Sequence, residues 1–372
     1  MLSLRRAAVA TCLLLAGLGL CAESARACNV PVFRYALERW PPAPYEVLVF
    51  HRGPLSPEAQ EAVADLRTRG RVDTEDAIVN LLVADLDASP HPAAKKFWET
   101  SPGASLPWMV VRYPEFLGVE ENVWAGPLSR QTVAALLDSP VRRRIARDLL
   151  QGESAVFVLL ESGNSQKDEA AAQLVKTQLA ELEKELELPE APPGQWDDPV
   201  YDEKGPPKMR LGFELVRLSR TDPAEQMFVR MLIAPAPQRL NGDEPVVFPI
   251  FGRGRALCAM VGDQITADNI GEEAAFIVGP CSCIVKDQNP GIDMLMAVDW
   301  DAALEGQASA IPTVDPPPPA GLADFAAGAQ SPSAPAISWS YTALLRRAVV
   351  GIVVGLGLVT AVILILRRKR PA

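Results

Sequence analysis

Nineteen consecutive residues without a charge, Ala348 to Leu366, stand between Arg346-Arg347 and the four cations Arg367-Arg368-Lys369-Arg370. At about 1.5 Å per residue, a helix of that length spans the hydrocarbon core of a bilayer, roughly 30 Å thick. A buried core helix usually keeps a polar face and seldom ends in four cations, so the run predicts one transmembrane helix. More positive charge follows the run than precedes it, which orients the C-terminus toward the cytoplasm. Gly351 and Gly355 make a small-residue stripe on which a second helix could pack, a weak signal because glycine is common in membrane helices.

The other end reads as an export leader. Arg5 and Arg6 precede an apolar run from Ala7 to Leu20, and Ala25-Arg26-Ala27 suits a signal-peptidase cleft. Cleavage after Ala27 leaves Cys28 first. Lipoprotein processing also leaves an N-terminal Cys, but Arg26 fits a lipobox poorly and the apolar run stops too early. The two ends together predict a single-pass protein of a bacterial cell membrane, its ectodomain in the periplasm or outside and its tail cytoplasmic.

Setting aside three arginines and one glutamate of the leader and the six cations flanking the helix leaves 27 basic and 45 acidic residues, a net charge of −18. Nucleic acid and anionic lipid are poor partners for such a surface. The 34 prolines concentrate at Pro189 to Pro207 and Ile311 to Ala336, the latter holding Pro316 to Pro319. Extended at about 3.1 Å per residue, the second stretch is a stalk that lifts the folded part off the bilayer. The chain therefore divides into a leader at 1–27, domains at 28–152 and 153–305, a stalk at 306–345 and the helix with its basic tail at 346–372.

Within the ectodomain, strand and helix signals alternate. Tyr45 to Phe50 reads as a strand, Ser56-Pro57-Glu58 opens a helix, Ala77 to Leu86 is a second strand and Pro92 to Glu99 a short helix. Pro107 to Arg112 and Val123 to Gly126 are further strands, and a helix starts at Ser129 and runs on through Leu137. The order resembles a thioredoxin-like domain, with Leu106-Pro107 where that family keeps a cis-proline. It then recurs: Ser154 to Leu160 as a strand, Ser165 to Leu186 as a helix, Leu211 to Leu218 as a strand, then Met227 to Ile233, Pro245 to Phe251 and Ala256 to Val261, and a helix opened by Thr266. The expected fold is thus α/β, two tandem thioredoxin-like domains, the second more divergent, plus the C-terminal transmembrane helix. Two unrelated α/β domains are the alternative. Upstream, Val32, Tyr35, Ala36 and Trp40 fall at helical spacing and predict a packed N-terminal helix.

A thioredoxin works through Cys-x-x-Cys just after its first strand, because the helix terminus lowers one thiol's pKa and the second resolves the mixed disulfide. Here that place reads His51-Arg52-Gly53-Pro54 in one half and Glu161-Ser162-Gly163-Asn164 in the other. Neither performs dithiol exchange, so the resemblance does not carry the family's activity. Only His51 and His91 occur in the chain, which excludes a His-rich zinc site. His51 as a lone base competes with the plainer reading of a solvated turn residue. Gly252-Arg253-Gly254-Arg255 could cradle a phosphate, but between two apolar strands a hairpin turn explains it more simply.

Four cysteines remain after the leader: Cys28, Cys258, Cys281 and Cys283. In an oxidising compartment four thiols allow three pairings, and sequence does not choose among them. The Cys281-Ser282-Cys283 turn admits a structural disulfide to Cys28 or Cys258, an exchangeable Cys281–Cys283 bond, or a soft-metal site completed by Cys28. Cys258, within an apolar stretch, reads as a buried small hydrophobe. No cofactor is expected, and the sequence leaves a small-molecule ligand unknown.

The opening Cys28-Asn29-Val30-Pro31-Val32-Phe33-Arg34-Tyr35, with Gly279-Pro280-Cys281-Ser282-Cys283 and the segment from Asn289 to Trp300, resembles a family of uncharacterised exported, membrane-anchored bacterial proteins of planctomycete-type genomes. That resemblance implies degenerate thioredoxin-like domains and brings no activity with it. The expectation is a non-catalytic protein-interaction or envelope-assembly module with a protein partner. Its rival is a thiol-disulfide or soft-metal handling protein using Cys281 and Cys283 with Cys28.

Overall fold

The computed structural model describes residues 30–88, 90–99, 104–189, 210–235, 240, 242–281 and 291–305. All of them fall in the first of two compact units, Met1–Ala329. The leader, the stalk and the run from Ala348 to Leu366 lie outside the described residues, and among the described residues no helix is long and apolar enough to cross a membrane. What they form is a mixed α/β structure with two sheets.

The first sheet holds β1 (Tyr45–His51), β2 (Val79–Asp85), β3 (Trp108–Arg112) and β4 (Asn122–Pro127) in the order β2-β1-β3-β4. β1 runs parallel to β2 and antiparallel to β3, and β4 is antiparallel to β3. The parallel pair requires a crossover, supplied by α2 (Pro57–Arg69), which follows α1 (Val32–Arg39) in the chain. Ser56 caps α2 by accepting the Ala59 N–H, and Pro57 takes the first turn, where its missing N–H costs nothing. Helix α3 (Pro92–Glu99) joins β2 to β3, and the Leu106-Pro107 peptide ahead of β3 is cis.

After β4 the sequence suggests one helix, but two form: α4 (Arg130–Leu137) and α5 (Pro140–Leu150). The cause is local. Pro140 bars Ser139 from the helical region, and Asp138 and Ser139 are both extended, at φ −154° and −159°.

The second sheet repeats the first one's core pattern. β5 (Ala155–Leu160) is parallel to β6 (Phe213–Leu218) across α6 (Ser165–Glu185), and antiparallel to β7 (Val246–Phe251), which α7 (Gln226–Ile233) precedes. β7 pairs with two short strands, β8 (Arg255–Ala256) and β9 (Met260–Val261). The expected single strand over Ala256 to Val261 is broken because Pro249, in mid-β7, has no N–H to give. Its carbonyl instead accepts the Leu257 N–H, and an extra residue bulges out of the partner strand. Helix α8 (Ala267–Val278), β10 (Ile292–Asp293), which pairs with β8, and α9 (Trp300–Leu304) complete the described chain.

The central strands bury both faces, with the period of two that strands impose. Tyr45, Val47 and Val49 of β1, with Val156, Val158 and Leu160 of β5, enter one shared cluster that also takes residues from α2, α4, α5 and α7. The opposite side chains of β5, Ala155, Phe157 and Leu159, pack with α6 and α8. Those of β1, Leu48 and Phe50, pack beneath α3 with Ala94.

Two segments cross between the sheets. Helix α1 packs on the second one: Val32, Phe33 and Ala36 join the cluster of Phe157 and Phe251, and Arg253 donates to the carbonyls of Leu37 and Glu38 at 2.7 and 3.0 Å. Trp40-Pro41-Pro42-Ala43-Pro44 then leads to β1. In the reverse direction, residues 293–299 lie on the first sheet's elements. Tyr45 Oη donates to the Asp293 carbonyl at 3.0 Å, the Ala297 N–H donates to Leu137, and Arg71 pairs with Asp299 at 2.6 Å.

Candidate functional site

In each half the place to examine is the turn that follows the central parallel strand, where the chain leaves a buried strand and enters a helix. In the first half β1 ends at His51. Its Nδ1 lies 2.8 Å from the Gly53 carbonyl, which can only accept, so that nitrogen carries the proton. Asp85, at the end of β2, accepts the N–H groups of Gly53 and Asp87 on one oxygen, at 3.2 and 3.0 Å. Arg52 reaches across to Asp87 at 3.0 Å. Gly53 has φ +58°, the left-handed conformation that glycine adopts without steric cost.

The second half solves the same problem with a different carboxylate. Asp168, in the first turn of α6 and 3% exposed, accepts from the Ser162 N–H and hydroxyl on one oxygen and from the Gly163 N–H on the other, at 2.7, 2.8 and 3.0 Å. Gly163 is left-handed at φ +89°. Asn164 caps α6 through the N–H groups of Gln166 and Lys167. Around the rim, Arg220 donates to the Glu161 carbonyl at 2.8 Å, Arg217 binds Glu161 and Glu169, and Lys167 pairs with Glu244. Hydrogen bonds to Glu169 and then Glu161 raise the Arg217 pKa, whereas burial lowers that of Arg220.

In both turns a carboxylate takes the N–H of a left-handed glycine. The hydroxyl of Ser162 spends its proton on Asp168, and no imidazole stands in that turn to act as its base. The turn residues are engaged with one another. His51 fits the turn-residue reading, and His91 is exposed elsewhere.

Of the sequence-predicted cysteines, Cys281 is described, and Cys28 and Cys283 lie outside the described residues. Cys281 is 1% exposed, within the cluster of α6, α8 and α1, and its N–H donates to the Val30 carbonyl at 2.8 Å. Cys258, expected to be buried, is only half-buried, since it falls in the bulge between β8 and β9 rather than in a strand. Among the described residues no group of three or more His, Cys, Asp or Glu is placed to hold a metal ion. The Gly252-Arg253-Gly254-Arg255 stretch is the β7–β8 hairpin, with Gly252 and Gly254 left-handed. Its guanidinium groups are buried, Arg253 against Asp301 at 2.6 Å and Arg255 against Asp293 at 3.0 Å.

One polar cluster has no counterpart in the sequence reading. Arg142, 1% exposed, donates to the carbonyls of Ala135, Leu136 and Leu295 and to the Ser139 hydroxyl. Beside it, Arg143 pairs with Asp138 at 2.8 Å, and Glu225 accepts the Val141 N–H at 2.7 Å at the start of α5. Burial lowers the Arg142 pKa, opposed by Glu225 and Asp138, and burial raises that of Glu225 against the pull of its hydrogen bonds. Arg142 and Arg143 are both buried, the first with a bond to the Leu295 carbonyl of the 293–299 segment and the second against Asp138.

Comparison of the chain with family models, with curated proteins and with solved structures gives no match.

Proposed function

We propose that the chain is a membrane-tethered, non-catalytic module of the extracytoplasmic face of a bacterial membrane, built on two thioredoxin-like units and serving to bind another protein or organise an envelope assembly. The observation that carries the reading is the pair of strand-end turns. Where dithiol chemistry on such a scaffold needs a thiolate at a helix terminus, each turn instead has its glycine N–H bound by a carboxylate, Asp85 in one half and Asp168 in the other. The thioredoxin-like assignment draws further support from the two sheets. Each has a parallel pair joined through a helix, then an antiparallel partner on the other side of the first strand. Export and membrane tethering are carried by the leader and the run from Ala348 to Leu366.

The rival, thiol-disulfide or soft-metal handling by Cys281 and Cys283 with Cys28, would need a sulfur that solvent reaches, and Cys281 is buried. Two measurements on the full chain in detergent separate them. The purified protein is expected to leave the rate of dithiothreitol-driven insulin reduction at its uncatalysed value and to bind no Cu(I) in competition with a chelator. Crosslinking in intact cells is expected to join the ectodomain to a distinct protein. Catalysed exchange, or stoichiometric Cu(I), overturns the reading in favour of the rival.

A further inference from the structure

Strand β2 ends the first sheet on one side, and among the described residues no strand pairs with its outer edge. Three hydrogen bonds show which backbone groups lie on that edge. Tyr45 donates its N–H to the Ile78 carbonyl at 3.0 Å and Leu86 donates to that of His51 at 2.8 Å, so the even-numbered residues of this stretch turn toward β1. Val79 donates the other way, to Gly70 at 3.1 Å. By the alternation of a parallel ladder, Leu81 and Val83 therefore present two N–H and two carbonyl groups outward.

The side chains suit the same use. β2 reads Val-Asn-Leu-Leu-Val-Ala-Asp, without the proline, lysine or bulge by which sheet edges are commonly closed. Leu82, beside Leu48 on the α3 side, is 37% exposed, and Leu81 and Val83 on the opposite face are half-buried. The corresponding edge of the second sheet is guarded. There β6 carries Arg217, paired with Glu161 and Glu169, and Phe213 gives its N–H to the Glu183 carboxylate.

We propose that the outer edge of β2 is the docking site for an extended segment of a second protein, which joins the sheet as a further strand. The proposal rests on the protein-interaction reading and gives it a location. Backbone bonds to Leu81 and Val83 hold the segment, and an apolar side chain opposite Leu82 covers the exposed leucine. Charge favours such a partner over a second copy of this chain. Asp73, Glu75 and Asp76 precede β2 against Arg67 and Arg71, while Asp85 and Asp87 stand at its far end against Arg52, an acidic excess at both ends. Two β2 edges paired together would set acid against acid. The segment that fits is apolar at its centre and carries lysine or arginine toward its ends.

The test places the photocrosslinking residue p-benzoylphenylalanine at Asn80, exposed on the same face as Leu82, in the full chain in intact cells. A control places it at Leu174 on α6, which is 38% exposed. A distinct protein is expected from Asn80 and not from Leu174, and its crosslinked peptide, sequenced by mass spectrometry, should be apolar with cationic flanks. Because the Val83 amide points outward, Val83→Pro removes a bond to the partner and none to β1. That change and Leu82→Lys are each expected to lower the Asn80 yield at least about tenfold. Leu82 is exposed, so its variant tests the edge even where Val83→Pro lowers the melting midpoint. Capture of a second copy, a crosslinked peptide with acidic flanks, or an unchanged yield in folded Leu82→Lys overturns the proposal. A distinct protein captured equally from both positions, or from Leu174 alone, overturns it and leaves the interaction reading standing. No protein from either position, with none joined by a general lysine crosslinker, defeats both.

Discussion

Arg142 is a buried residue whose surroundings are costly to disturb. Its guanidinium satisfies the carbonyls of Ala135 and Leu136, at the end of α4, and that of Leu295 in the returning segment, all away from water. Arg142→Met keeps much of the volume but strands those oxygens, at about 1–3 kcal/mol for each buried group left unpaired. A loss of at least about 3 kcal/mol is expected, read as a lower urea midpoint with unchanged slope. Glu273, on α8, behaves in the opposite sense. Burial, and then the neighbouring Glu272, raise its pKa to about 7. A carboxyl whose folded pKa lies above its unfolded value stabilises the fold fully below the unfolded pKa, and that contribution is lost as pH rises toward the folded one. The window here runs from about 4.5 to about 7. Thermal melts are expected to show Glu273→Gln equal to the parent near pH 4 and more stable by about 1–2 kcal/mol at pH 7.5, after allowance for partial solvent screening. A difference that does not change with pH would contradict the burial of that carboxyl.

At the scale of elements, the β7–β8 hairpin does more than turn the chain. Gly252 is left-handed, and a β-carbon on it would stand 2.6 Å from that of Ala36. The hairpin is therefore the seat of α1, with Arg253 closing the helix's C-terminal carbonyls. Gly252→Ala is expected to cost about 2–4 kcal/mol, from the backbone penalty plus a displaced helix. Hydrogen exchange at the Val32 and Trp40 amides should accelerate, while amides in β1 keep their protection. Uniform acceleration across both sheets would mean that the hairpin does not act through α1. Much at this scale was legible beforehand: Ser56, Ser129 and Thr266 are seen as helix caps where the sequence put helix starts. The division of α4 from α5 was also written there, in Ser139-Pro140, but helical periodicity across the junction concealed it.

For the molecule as a whole, the consequential feature is the exchange of segments. Helix α1 precedes the first sheet and packs on the second, while Asp293, which ends the second sheet's last strand, and residues 294–299 after it lie on the elements of the first. Each half thus lacks part of its own covering when cut at the boundary between residues 152 and 153. The fragment 153–305 is expected to lose its fixed near-ultraviolet signal and to bind a hydrophobic dye, and a peptide of residues 28–44 added in trans should restore both. The chain containing both halves should unfold in one transition by calorimetry. A fragment that melts cooperatively without the peptide would show the exchange to be dispensable.

The sequence by itself determined the alternation of strands and helices, because periods of 2 and 3.6 in apolar residues are local. It also determined that neither strand-end turn carries a thiol pair, which needs only the identities at His51 to Pro54 and Glu161 to Asn164. Tertiary structure decided that Arg142 and Arg253 are buried, that Cys281 lies deeper than Cys258, and that α1 belongs with the second sheet. Those outcomes depend on contacts between residues more than two hundred positions apart, such as Arg253 with Leu37, or more than a hundred and fifty apart, such as Arg142 with Leu295. No periodicity within one element encodes which distant surface will cover it.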